Sequence, residues 1–138
     1  MPHRKLITKL QATNSVTALV PAVRIRPVKL AQGDSLPAIT YQVTERTTDD
    51  GIDGTSSTVL ASVQVDCWGR TYDEAWSVAD VVHSALHYYR EGNAAGQLMQ
   101  CRCEMQADSP ELVEEASDEA NHAVTQTYRL DYRLPAEE

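Results

Sequence analysis

Residues 59–75 read VLASVQVDCWGRTYDEA, and the fold class turns on this stretch. Val59, Ala61, Val63, Val65 and Cys67 alternate with Leu60, Ser62, Gln64, Asp66 and Trp68, the period of two that sends successive side chains to opposite faces of a strand. Gly69-Arg70 breaks the run. Thr71-Tyr72-Asp73-Glu74 then has the form of a capping box, in which a hydroxyl and a carboxylate satisfy the open N–H groups of a first helical turn, a cap worth about 1 kcal/mol. Tyr72, Ala75, Ala79, Val82, Leu86 and Tyr89 follow at steps of three or four. Such a stripe predicts a helix that lies on the sheet and ends before Gly92.

Working outward, His3 to Ala12 reads as a short amphipathic helix with Leu6, Ile7 and Leu10 on one side, and Asn14 and Ser15 cap a further turn over Val16 to Leu19. Val23 to Pro27 alternates apolar residues with Arg24 and Arg26, as a strand with one wet face does. Ala38 to Glu45 predicts a second strand, Ile39, Tyr41 and Val43 facing one way, with Pro37 at its entrance where a missing N–H does least harm. Thr47 to Ser57, TTDDGIDGTSS, is too polar to bury and reads as a long hairpin loop. Gln97 to Met105 alternates again, with Met99, Cys101, Cys103 and Met105 expected on the core side. Asp108 to Glu119 holds six acids and no base and reads as an exposed loop or frayed turn. His122 to Leu134 closes with Val124, Tyr128, Leu130, Tyr132 and Leu134 on one face. Hairpins dominate this order, so the predicted class is α+β: a mainly antiparallel sheet of about four to five strands, with one main helix and an N-terminal helix packed on it. Residues 1–138 are expected to form a single domain with loops at about 46–57 and 106–121.

A chain of 138 residues, 42% hydrophobic and 23% charged, has about one domain's worth of core and the balance of an ordinary globular fold. Its net charge of -8 is unevenly spread. Residues 1–33 carry Arg4, Lys5, Lys9, Arg24, Arg26 and Lys29 with no acid, whereas residues 91–138 carry eleven acids against three arginines. An acidic chain is a poor neutraliser of phosphates, which argues against nucleic-acid binding by counterion release. The start lacks the continuous apolar core of a signal peptide, and no run approaches the ~18 apolar residues of a membrane span. Three cysteines, an odd count, are expected to be reduced thiols in a cytoplasm.

Cys101 and Cys103 on one strand face, with His83 and His87 on one helical face, are the conceivable metal ligands, but the thiol spacing is not that of a zinc knuckle and small core residues explain it better. No G-x-S-x-G, P-loop or G-x-G-x-x-G occurs, and no nucleophile, base and orienting group can be named together. The loop from Thr48 to Gly54 has aspartates over a glycine turn yet lacks the twelve-position ligand pattern of a calcium loop. Arg24 and Arg26 have no interleaved aromatic to stack bases. Opposite charge at the two ends does suit head-to-tail pairing of copies, the contact that makes rings.

Three stretches together, Leu36-Pro37-Ala38-Ile39-Thr40-Tyr41, Val63 through Ala75, and Tyr128-Arg129-Leu130-Asp131-Tyr132-Arg133, resemble the tail-completion (tail terminator, head–tail joining) proteins of long-tailed bacteriophages. The order and spacing over about residues 5–134 carry the resemblance. It implies a small sheet with packed helices and a structural protein without catalytic, metal or cofactor residues, not an enzyme. Copies would form a ring, commonly a hexamer, on the head-proximal end of the tail tube, in the virion after assembly in the host cytoplasm. The implied partners are further copies of itself, the tail tube protein and the head connector or stopper, with DNA only passing through the lumen and no membrane. Expected subunit or tube contacts are Asp49, Asp50 and Asp53 in the polar loop, Arg24 and Arg26 in the basic strand, and Glu111, Glu114 and Glu115 in the acidic run. The acidic run and the two-cysteine strand match no family motif. A small metal-binding module or enzyme using the thiols and histidines, or an acidic adaptor or inhibitor, are the alternative readings.

Overall fold

In the computed structural model, which describes residues 2–21, 24–27, 36–49, 58–92, 96–108 and 122–133, the elements are helices α1 (Pro2–Ala12) and α2 (Asn14–Thr17), strands β1 (Ile25–Pro27), β2 (Ala38–Asp49) and β3 (Thr58–Gly69), helix α3 (Tyr72–Leu86), and strands β4 (Leu98–Asp108) and β5 (His122–Arg133). The five strands form one sheet in the order β1-β2-β3-β5-β4. The pairs β2/β3, β3/β5 and β4/β5 are antiparallel. The expected α+β class holds, but β1 runs parallel to β2, Ile25 beside Ile39, so the sheet is mixed.

The period-two run sets the core. Val59, Val63, Val65 and Cys67 are fully buried beneath Ala75, Val78, Ala79, Val82 and Leu86 of α3, and Leu6, Leu10, Val16 and Val20 of the first two helices complete the layer. The helices therefore cover one face of the sheet, and among the described residues none lies on the face of Ser62, Gln64 and Asp66. Val78 was not in the predicted stripe, and Tyr72, which was, is 51% exposed. The cap forms as read: Thr71 Oγ1 accepts from the Glu74 N–H at 3.1 Å. Glu74 reaches one residue further back than a capping box does, its Oε1 accepting from the Arg70 N–H at 2.7 Å.

Four sequence expectations are corrected. β2 continues to Asp49 and β4 to Asp108, so residues 46–49 and 106–108 are strand rather than loop; residues 50–57 and 109–121 lie outside the described residues. An irregularity between Val43 and Glu45 interrupts the alternation of β2, and Val43 is 39% exposed. In β4, register shifts at Leu98/Gln100 and Cys103/Met105 each insert one residue and invert the alternation. Leu98 thereby joins Cys101 in the core, and Met105 turns out, 60% exposed. Finally α3 stops at Leu86, because Tyr88 takes a left-handed φ of 64° and its N–H donates to Cys101 O at 2.7 Å, joining β4 instead of another turn.

That departure dresses the outer edge of β4. The Glu91 and Gly92 N–H groups both donate to Leu98 O, at 2.8 and 3.3 Å, Glu91 Oε1 accepts from the Leu98 N–H at 2.8 Å, and His87 Nδ1 accepts from the Cys103 N–H at 3.0 Å. The segment after α3 so satisfies this half of the edge without being a strand.

Gly69 joins β3 to α3 where any side chain would collide: an added Cβ would lie 2.5 Å from Ala75 N and 3.0 Å from Ala75 Cα, both backbone atoms. Gly69→Ala is expected to cost about 1–3 kcal/mol in urea unfolding, the range for overpacking a fixed site. His87 gives a pH dependence. Burial first, then the charges of His83 and Arg102, hold it below the ordinary 6.5, and a proton on Nδ1 would end its bond from Cys103. The unfolded chain takes that proton more readily, so stability is full above the ordinary value and declines as pH falls below it. His87→Asn, which keeps an acceptor but does not titrate, should show a smaller decline than the parent chain when urea midpoints are compared from pH 7.5 to 5.

Candidate functional site

Of the eight contact residues singled out from sequence, Arg24, Arg26 and Asp49 are described. Arg24 is committed to its own chain, its Nη1 donating to Pro37 O at 3.2 Å. Arg26 lies in register with Thr40, is half-buried and has an interaction within the structure. Asp49 ends β2, nine residues beyond Thr40 and so about 30 Å along the strand. Asp50, Asp53, Glu111, Glu114 and Glu115 lie outside the described residues.

The suspected metal ligands are otherwise engaged. Cys101 is fully buried, and burial pushes its thiol up to about 12; burial raises Cys67 further and Cys103 as well. Thiols of this kind stay protonated at neutral pH, which makes them poor ligands and poor nucleophiles. The His83 and His87 rings stack on each other with centroids 4.6 Å apart, and one nitrogen of His87 is spent on Cys103. Among the described residues no three His, Cys, Asp or Glu side chains gather to hold a metal ion.

What the fold presents instead is surface. On the helix-free face Trp68 packs with Ala38, Ala123 and Leu36, and its Nε1 donates to Thr40 Oγ1 at 3.0 Å. Beside it Asp66 is 4% exposed; burial raises its pKa although Thr125 Oγ1 donates to it at 2.8 Å and Gln64 Nε2 at 3.2 Å. Towards the other end of the same face Arg102 and Arg129 stand directly opposite on β4 and β5, lining a shallow open depression with Gln100 and Asp131. Like charges in such cross-strand pairs repel; Arg102 is partly relieved by Glu104 at 3.7 Å.

Two stretches of strand edge remain without a strand beside them among the described residues. β1 covers β2 only at residues 39–41, and from Val43 to Thr48 every β2 side chain is exposed. On the far side, the dressing of β4 reaches only to Cys103, and Glu104 to Asp108 are all exposed. The second stretch ends in a small clamp, Trp76 Nε1 donating to Asp108 Oδ1 at 2.9 Å and Tyr72 OH to Oδ2 at 3.3 Å. Sequence reasoning missed both edges, because edge status depends on which strands pair and how far, and nothing local encodes that.

Two similarities place the chain among known proteins. It matches the family described as tail completion protein gp17 over residues 4–130, from α1 through most of β5. It shares the fold of a chain in the virion of a native gene transfer agent particle, with a TM-score of 0.65 over 93% of this chain and 91% of that one, at 12% identity. No curated protein matches it. A family match that spans nearly every element of the fold leads to one conclusion: the chain belongs to the tail completion protein gp17 family of bacteriophage tail-completion proteins.

Proposed function

We propose that this chain is a non-catalytic ring subunit at the head-proximal end of the phage tail tube, where it ends tube polymerisation and presents the surface on which the filled head docks. The observation that carries the reading is the family match over residues 4–130. The physical character of the molecule agrees with it. Among the described residues its polar groups are spread over a sheet face and two strand edges, and burial raises the Cys67 and Cys101 thiols, which suits the surface to contact.

In this reading residues 1–138 act as one unit, six copies close the ring, and the partners are further copies, the tube protein and the head connector. Asp49, Asp50 and Asp53 meet a subunit or the tube, joined by Arg24, Arg26, Glu111, Glu114 and Glu115. DNA only passes through. A net charge of -8 favours an acidic or neutral lumen along which a duplex slides without sticking.

Phage deficient in this chain should yield full heads and unattached tails of uncontrolled length under negative stain. Complementation with a variant lacking residues 50–54 should give a folded protein by circular dichroism but no joined particles, with infectious titre lowered at least as far as in the deficient phage. Normal titre and normal tail length in the deficient phage would refute the reading.

A further inference from the structure

We infer that residues 87–92 are a latch on the outer edge of β4 with a histidine catch, and that acid opens it. Protonation of His87 at Nδ1 releases the segment locally and bares the edge from Leu98 to Cys103, while the sheet and the helices stay folded. This device is independent of the ring reading above.

The latch is held by polar bonds and by little else. Leu86, which ends α3, is fully buried, but none of residues 87–92 is. The Tyr88 N–H donates to Cys101 O at 2.7 Å, and the Glu91 and Gly92 N–H groups donate to Leu98 O at 2.8 and 3.3 Å. In return the Leu98 N–H donates to Glu91 Oε1 at 2.8 Å and the Cys103 N–H to His87 Nδ1 at 3.0 Å. Tyr88 takes its left-handed φ of 64° with its side chain 66% exposed, so little burial offsets a conformation that disfavours any side chain. Segments with few buried apolar contacts open at far less cost than a core does.

His87 is the catch because of the group it offers. An edge N–H ordinarily meets a backbone carbonyl, which does not titrate; the Cys103 N–H meets an imidazole, which does. To accept that bond Nδ1 must be unprotonated, so the neutral ring carries its hydrogen on Nε2. One added proton turns the acceptor into a second donor aimed at a donor.

The surroundings work in the same direction. His83 of α3 stacks on the ring with centroids 4.6 Å apart, and the Tyr88 ring lies at 3.9 Å. The charges that act on His87 are those of His83 and of Arg102 on β4, both cationic when charged. Glu104, next along β4 from Cys103, is paired with Arg102 at 3.7 Å, and on the latch itself Arg90 is exposed while Glu91 is turned to Leu98 and to Lys5. Burial first, then those cations, hold His87 below the ordinary 6.5 while the latch is closed. In the open latch the ring titrates as an ordinary histidine. Proton uptake therefore favours the open state: the latch is fully held above the ordinary value and weakens as pH falls below it.

The far end is fastened differently. Glu91 pairs with Lys5 of α1 at 3.5 Å, and Lys9 Nζ stands 5.0 Å from the centre of the Tyr89 ring, contacts in which no histidine takes part. Opening leaves the Leu98 and Cys103 N–H groups and the Leu98 and Cys101 carbonyls facing water, a bare edge of the kind that takes up another strand.

Amide hydrogen exchange of the full chain, read by NMR as protection factors so that the intrinsic effect of pH is removed, tests the latch. From pH 7.5 to 5.5 the protection of the Cys103 and Leu98 amides should fall about fivefold. That protection should be insensitive to sub-denaturing urea, because the opening exposes little surface. Val63, in the middle of β3, should instead lose protection steeply in the same urea, as an amide freed only by global unfolding does. His87→Asn, which keeps an acceptor but does not titrate, should remove the pH dependence at both amides. Protection at Cys103 and Leu98 that does not change with pH, or that follows the urea dependence of Val63, overturns the latch. So does a pH dependence that survives His87→Asn, and the parent chain alone decides if that variant fails to fold.

Discussion

One buried glutamine holds the layers of this protein in register. Gln126 lies in the apolar row of β5 with none of its surface exposed, and every hydrogen-bonding position on its amide is filled. Its Nε2 donates to Ala79 O of α3 at 2.8 Å and to Gln106 Oε1 of β4 at 2.7 Å. Its Oε1 accepts from Tyr128 OH at 2.9 Å and, more weakly, from the Cys67 thiol of β3 at 3.9 Å. Apolar packing alone lets a helix slide or turn on a sheet at small cost, because the hydrophobic effect has no direction. An amide bonded to the helix and to both neighbouring strands does not, since each partner lost would leave a buried polar group unsatisfied at roughly 1–3 kcal/mol. The tryptophan, arginine and strand-edge features of the surface depend on this alignment, because it sets where α3 ends over β4 and hence where residues 87–92 can meet the edge.

What was legible in the sequence was what local chemistry encodes. The run from Val59 to Cys67 and the cap at Thr71 are self-contained signals, one a periodicity and the other a hydroxyl three residues before its N–H, and both appear as read. The inversions at Val43/Glu45, Leu98/Gln100 and Cys103/Met105 were not legible, because a bulge is decided by the neighbouring strand. Gln126 was passed over for the same reason: a glutamine in an apolar stripe looks like an interruption until its four partners are assembled around it. The early stop of α3 depends on a tyrosine in a left-handed conformation, which no propensity favours. Of the candidate contacts, Arg24 shows the general difficulty. A charged side chain in a sequence advertises itself as available, and here it is tied to Pro37.

The family assignment and the fold bear on each other through the two faces of the sheet. The helix-covered face is filled by the chain's own side chains. The open face and the edges carry the polar and charged groups, including the opposed pair Arg102 and Arg129, whose mutual repulsion makes that spot receptive to carboxylates.

The buried thiols have a further consequence. Oxidation proceeds through the thiolate, and in Cys67 and Cys101 burial suppresses ionisation. The same apolar packing that seats these two small side chains thus disfavours their oxidation.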